Sequence, residues 1–122
     1  MEFKYYNANP LKRRVNDCTV RAISLARGES WDDTFVELAS LAREQAIMPD
    51  DVTYIDEYLA QRYDKICGCK GKIRITVGEF VDTHPQGTYL ITMSGHITCA
   101  IDGCIYDTFN PERRYVWGAY KI

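Results

Sequence analysis

Three residues of this chain have types and spacing suited to chemistry: His96 and Asp107 in the late stretch GHITCAIDGCIYDTF, and Cys18 in the early stretch NDCTV. Asp102-Gly103 is a preferred two-residue turn with apolar runs on both sides, so the late stretch reads as a β-hairpin. That turn sets Ile101 opposite Cys104, Thr98 opposite Asp107 and His96 opposite Phe109, which puts His96 and Asp107 on one face. They are diagonal neighbours, with backbones roughly 5 to 8 Å apart, within reach of an imidazole bonded to a carboxylate. A base and the group that aims it thus come from one hairpin, and they lack only a nucleophile.

Cys18 is the candidate nucleophile. It follows Asn16-Asp17 and precedes the apolar run Val20, Ala22, Ile23, Leu25 and Ala26, which ends at Gly28. This is the pattern of a short buried helix with Asp17 as N-cap and Gly28 as a left-handed stop. A cysteine in the first turn faces unpaired backbone N–H groups and the positive end of the helix dipole, and both favour a thiolate. The thiolate attacks carbonyl carbon, with an imidazole to move the proton and a third group to orient the imidazole.

The elements that must position these groups follow from periodicity. Ser30-Trp31-Asp32-Asp33 is a capping box, with Trp31, Phe35, Leu38, Ala39 and Ala42 at helical spacing, which predicts a second helix to about Gln45. Beyond Pro49 a third helix is expected from Asp50 or Asp51, carrying Ile55, Tyr58 and Leu59 inward and fading near Tyr63 into a turn at Cys67-Gly68-Cys69-Lys70-Gly71. Ile73 to Ile75 suggests a short strand, and Thr76 to Val81 a capped helical turn with Glu79 at the box position. Strands are expected at Thr88 to Met93, in both hairpin arms and at Tyr115 to Ile122. Helices first and an antiparallel sheet last make an α+β layout, a single domain over residues 1–122.

Cys18 opening a buried helix near the N-terminus, then helical sequence, then a His strand and an Asp strand late in the chain, is similar in order and topology to the papain-like cysteine peptidase superfamily. The Gly-His strand, the turn, and Asp107 followed by Asn110-Pro111 resemble the small papain-fold peptidases that process bacteriocin leaders. Asp17-Cys18, Arg21-Ala22-Ile23-Ser24, Ser30-Trp31-Asp32 and the final hairpin also resemble small proteins of bacteriophages and bacteria. The resemblance implies a papain-like fold and a Cys18-His96-Asp107 triad cleaving a peptide, isopeptide or other amide bond. It also implies, for a phage-encoded chain, the host cytoplasm as its location. Papain-like enzymes usually set a glutamine a few residues before the cysteine to help bind the oxyanion. Asn9 to Arg14 contains none, and Lys12 stands at about that position. Asn16, Asn9 or Asn7 could donate a side-chain amide instead, beside the backbone N–H of Cys18, and Asn16 is the one closest in sequence.

Composition bounds the alternatives. The net charge is −2, and the basic clusters Lys12-Arg13-Arg14 and Lys70, Lys72, Arg74 are short and interrupted, so they read as solvated faces and no nucleic-acid partner is expected. The opening Met1-Glu2-Phe3-Lys4-Tyr5 lacks the apolar core of a signal peptide, and no run approaches membrane-spanning length, so a cytoplasmic protein with no membrane partner and no propeptide is expected. Five cysteines, an odd number, argue for reduced thiols rather than a disulfide framework. Cys67 and Cys69, with Cys99 or Cys104, invite a metal reading, but a single residue between two thiolates is an awkward chelate. No metal or other cofactor is therefore expected. His84 before Pro85 reads as solvated, with nothing nearby to orient its ring, and Arg21 as solvated or salt-bridged. Two functions fit: a thiol hydrolase or acyl transferase acting on a peptide or protein substrate, and a papain-fold binding module that sequesters a host or defence factor without turnover.

Overall fold

The computed structural model describes residues 1–51, 54–68 and 74–122, with residues 67 and 68 by backbone only. The architecture is α+β: four helices around a six-stranded mixed sheet. The chain runs β1 (Glu2–Tyr5), α1 (Cys18–Arg27), α2 (Trp31–Gln45), α3 (Ile55–Ala60), β2 (Asp64–Gly68), α4 (Val77–Thr83), β3 (Thr88–Met93), β4 (His96–Ile101), β5 (Cys104–Asp107) and β6 (Gly118–Lys121). In space the strands lie in the order β1-β5-β4-β3-β6-β2.

The hairpin register is the expected one, with Ile101 opposite Cys104, Ala100 opposite Ile105 and Cys99 opposite Tyr106. Asp102 and Gly103 both adopt positive φ, 49° and 78°, the backbone a primed two-residue turn needs and one that glycine adopts without strain. The helix punctuation also holds. Gly28 stops α1 in the left-handed region, Ser30 Oγ accepts from the Asp33 N–H at 3.0 Å, and Thr76 Oγ1 accepts from the Glu79 N–H at 3.1 Å.

Strand alternation divides the core between the two faces of the sheet. Leu90, Ile97, Cys99 and Tyr120 pack against Ile23 of α1, Leu38 of α2 and Leu59 of α3. Tyr89, Ile91, Met93, Ala100 and Ile105 face the other way, against Val77, Phe80 and Val81 of α4. Helices therefore cover both faces, with α1 laid across the centre of one.

Several expectations need correction. The sheet is not purely antiparallel and does not wait for the helices, because β1 precedes them and pairs parallel to β5, from Glu2 opposite Cys104 to Tyr5 opposite Asp107. The stretch read as a turn after Tyr63 begins as β2, antiparallel to β6 along Asp64–Gly68. Helix α3 is shorter than expected, starting at Ile55 with no side-chain cap at Tyr54. The strand expected from Tyr115 is regular only from Gly118, with Thr76 and Tyr115 forming an isolated bridge. Arg74 and Ile75 are not in a strand. Ile73, Cys69, Lys70, Gly71 and Lys72 lie outside the described residues, and so does the side chain of Cys67, so the paired-thiol reading falls outside them as well. No described helix is long and apolar enough to cross a membrane.

Candidate active site

Each of the three reactive residues stands at the end of an element. Cys18 is the first residue of α1, His96 the first of β4 and Asp107 the last of β5. The hairpin turn lies at the far end of β4 and β5, so His96 and Asp107 meet at the near end. Helix α1, packed across the same strands, brings its N-terminus there. His96 Nε2 and Asp107 Oδ2 are 2.7 Å apart, with both residues buried. The Cys18 thiol is coupled to the same imidazole, which lowers the thiol and raises the ring. With Nε2 taken by the carboxylate, Nδ1 is the nitrogen left for sulfur. Phe109 lies over the ring at 4.6 Å between centroids, which screens the imidazole–carboxylate bond from water.

The electrostatics follow from burial opposed by partners. Burial pushes the Cys18 thiol up, but the His96 hydrogen bond and charge outweigh it, and the thiol is held below its ordinary range. Burial works against the His96 imidazolium as well; Asp107 and Cys18 overcome it and raise the ring to about 9. Asp107 is lowered despite its burial, chiefly by His96. These shifts favour transfer of the thiol proton to the imidazole, giving a thiolate facing an imidazolium.

The two carboxylates nearest Cys18 are joined by an arginine. Arg21 Nε reaches Asp17 Oδ1 at 2.7 Å and Arg21 Nη1 reaches Asp107 Oδ1 at 3.2 Å. Oδ1 of Asp107 also accepts from the Thr108 N–H at 2.7 Å, so both its oxygens are held. Asp17 stands at the N-cap position, but its side chain caps nothing. Its Oδ2 accepts from Trp31 Nε1 at 2.9 Å and Asn9 Nδ2 at 3.3 Å. The carboxylate expected to cap α1 is thus used to fasten Arg21. The salt-bridged reading of Arg21 holds, but its link to Asp107 lay beyond the sequence. Only half of that arrangement had a signal, the i,i+4 spacing of Asp17 and Arg21.

Asn16 does not stand at the reaction centre. Its Nδ2 donates to Asp50 Oδ2 at 3.2 Å in an exposed position, and the residue lines an apolar hollow of about 360 Å³ with Trp31, Phe35 and Met48. Asn7 and Asn9 are bound into their own loop. Asn7 Nδ2 donates to the Arg13 carbonyl, and Asn9 Oδ1 accepts from the N–H groups of Leu11 and Arg13. The Lys12 ammonium donates to the Asn7 carbonyl. No side-chain amide considered for the oxyanion is available, which leaves the backbone N–H groups at the start of α1.

No protein-family model, no curated protein and no solved structure matches this chain. The site is therefore read from its own chemistry.

The other reactive residues sort themselves by surroundings. His84 is not merely solvated: its Nδ1 lies 2.9 Å from the Phe80 carbonyl and 3.1 Å from Thr83 Oγ1, and its ring stacks on Phe80. It finishes α4 rather than serving as a base. Cys99 is wholly buried, and burial pushes its thiol up to about 12. Cys104 is buried too. Among the described residues no group of three His, Cys, Asp or Glu side chains could hold a metal ion.

Proposed function

We propose that the chain is a thiol-dependent hydrolase or acyl transferase with a papain-like arrangement, acting on an amide bond of a peptide or protein in the cytoplasm. The observation that carries this reading is the 2.7 Å bond between His96 Nε2 and Asp107 Oδ2, with Cys18 paired to the same ring from the first residue of a buried helix.

In this reaction Cys18 Sγ, as thiolate, adds to the carbonyl carbon, and backbone N–H groups of the first helical turn receive the oxyanion. His96 gives its proton to the leaving nitrogen as the C–N bond breaks, and an acyl thioester remains on Cys18. Water then loses a proton to His96 and adds to the thioester, releasing the acid and restoring the thiolate–imidazolium pair. An amine in place of water makes the same protein a transferase. Asp107 keeps the imidazole oriented throughout.

A second reading, a papain-fold module that sequesters a partner without turnover, draws support from the tight enclosure of the nucleophile. Cys18 is only 5% exposed, and the hollow between it, Arg21 and Asp107 measures about 10 Å³, no larger than a single water requires.

Intact-mass measurement with p-nitrophenyl acetate separates the two. The enzyme reading expects an acetyl adduct on Cys18 that forms and then discharges, and that forms at least roughly tenfold more slowly in His96→Ala. An adduct that never forms on Cys18, or forms at the same rate without the imidazole, leaves the binding module.

A further inference from the structure

At the same end of the sheet, beside the β3–β4 turn, a second cavity of about 310 Å³ is bounded by Arg74, Arg113, Arg114, Ser94, Tyr115 and Trp117, together with Val116. Among the described residues its walls carry three guanidinium groups and no carboxylate. None of the three arginines enters an ion pair among the described residues, where Arg21 and Arg27 take the arginine–carboxylate contacts. That concentration of cations is local, since the chain as a whole carries a net charge of −2.

Unpaired guanidinium groups around one cavity repel one another, and an anion bound among them relieves that repulsion. Two of the three are already held in place. Arg114 donates to the Ser94 carbonyl, and Arg74 lies over the Tyr115 ring at 5.2 Å. Arg113 is exposed and free to swing onto a ligand. The guanidinium fork suits the paired oxygens of phosphate and carboxylate, and groups oriented before binding lose less freedom when they bind. The volume falls at the lower end of the range for small-molecule sites, larger than a bare ion needs, and the aromatic rings of Tyr115 and Trp117 line the remainder.

We infer that this cavity is a binding site for an oxyanion, a phosphate or carboxylate group carried on a small organic body. The site stands whether or not Cys18 is catalytic, because none of its residues belongs to the Cys18-His96-Asp107 group. It adjoins that group, since Ser94 lies two residues before His96 and the Trp117 N–H donates to the Thr92 carbonyl of β3 at 2.8 Å. A ligand anchored on the arginines would therefore sit on the histidine side of the sheet end.

The test is a titration of the full chain with pyrophosphate, and separately with citrate, followed by ¹H–¹⁵N NMR. The Trp117 indole and the amides of Ser94 and Tyr115 report on the cavity, and Trp31, the other tryptophan, serves as a control. Saturable shifts at Trp117 but not Trp31 are expected, weakened roughly tenfold in Arg113→Gln and further in Arg113→Gln/Arg114→Gln. The tighter probe tells whether phosphate or carboxylate is the preferred oxyanion. Arg113→Gln removes an exposed side chain and leaves the fold intact, so loss of binding in that variant cannot be ascribed to misfolding. Shifts that do not saturate, or saturate equally in the arginine variants, or are reproduced by sodium chloride at matched ionic strength, overturn the assignment.

Discussion

Removing the imidazole of His96 should change both the rate and the pH dependence with which Cys18 is alkylated. An ordinary thiol with a pKa of about 8.5 goes from roughly 24% thiolate at pH 8.0 to about 1% at pH 6.5, and its alkylation slows about 25-fold. Burial raises Cys18 but His96 lowers it on balance, and Asp107 and Cys18 raise His96 to about 9, so the sulfur holds more thiolate at the acid end of this window than an ordinary thiol does. The wild-type rate with iodoacetamide should then change by clearly less than about 25-fold between the same two pH values. In His96→Ala only burial remains among the larger influences, and burial raises the thiol. Thiolate at pH 6.5 then falls below about 1%, while the greater nucleophilicity of the more basic sulfur returns part of the loss. The net expectation is a lower rate at pH 6.5, with the steep pH dependence of an ordinary thiol restored. Cys99, fully buried and raised to about 12, should stay unlabelled and provides an internal control for native structure. A wild-type rate that climbs tenfold per pH unit from 6.5 to 7.5, or a rate indifferent to His96→Ala, would refute the thiolate–imidazolium pair.

Arg21→Met leaves Asp17 and Asp107 as buried carboxylates without their shared cation; urea unfolding should show a loss of about 3 kcal/mol, and Arg21→Lys should recover only part of it, because one ammonium cannot fork to both acids. Asn16→Ala removes an exposed amide bound only to Asp50, so Cys18 alkylation should be unchanged and stability should stay within about 0.5 kcal/mol. Where the folded wild-type chain has moved the thiol proton to the imidazole, folded and unfolded states hold equal numbers of protons between the ordinary pKa values of histidine, about 6.5, and cysteine, about 8.5, so this pair contributes no slope to stability there. In Cys18→Ala the folded state keeps the His96 proton, raised by Asp107, while the unfolded state loses its own above pH 6.5. Stability should then fall with rising pH by up to about 1.4 kcal/mol per unit, and an equal slope in wild type would show that no proton has moved from sulfur to ring.

Local rules made much of this structure legible. The Asp102-Gly103 turn and strict alternation fixed the hairpin register, and with it the His96–Asp107 bond, without reference to the rest of the fold. Caps at Ser30 and Thr76 and the stop at Gly28 placed helix ends for the same reason, since each is satisfied within a few residues. What escaped reading is non-local. Strand β1 is four residues long and finds its partner near the other end of the chain, at Cys104–Asp107, and so short a parallel edge strand has no turn to announce it. Asp17 was expected to cap α1 because aspartate often does. Arg21, Trp31 and Asn9 compete for the same two oxygens and win, because a charged guanidinium and two side-chain N–H donors hold the carboxylate more strongly than one neutral backbone amide. Asn16 was favoured for its closeness in sequence to Cys18, but it stands before the N-cap, outside α1, and its amide is drawn to Asp50.

The burial of so many ionisable groups at one point is itself an argument about how the site holds together. Any one of these charges taken from water alone costs several kcal/mol, and a buried pair seldom returns more than it loses. With the Cys18 proton on His96, the signs alternate along one chain of partners: Cys18 thiolate, His96 imidazolium, Asp107 carboxylate, Arg21 guanidinium, Asp17 carboxylate. Every interior member has an opposite charge on both sides, and Asp17, at one end, is closed by the neutral donors of Trp31 and Asn9. The thiolate at the other end is closed by the N-terminus of α1. Hydrophobic residues of the same volume could fill this space with no loss of stability, so stability alone does not account for the arrangement. What it does secure is position. Residues from the N-terminal loop, two helices and the C-terminal hairpin are held to one another by bonds of fixed length and direction, and the member set at the outer end of that chain is the sulfur.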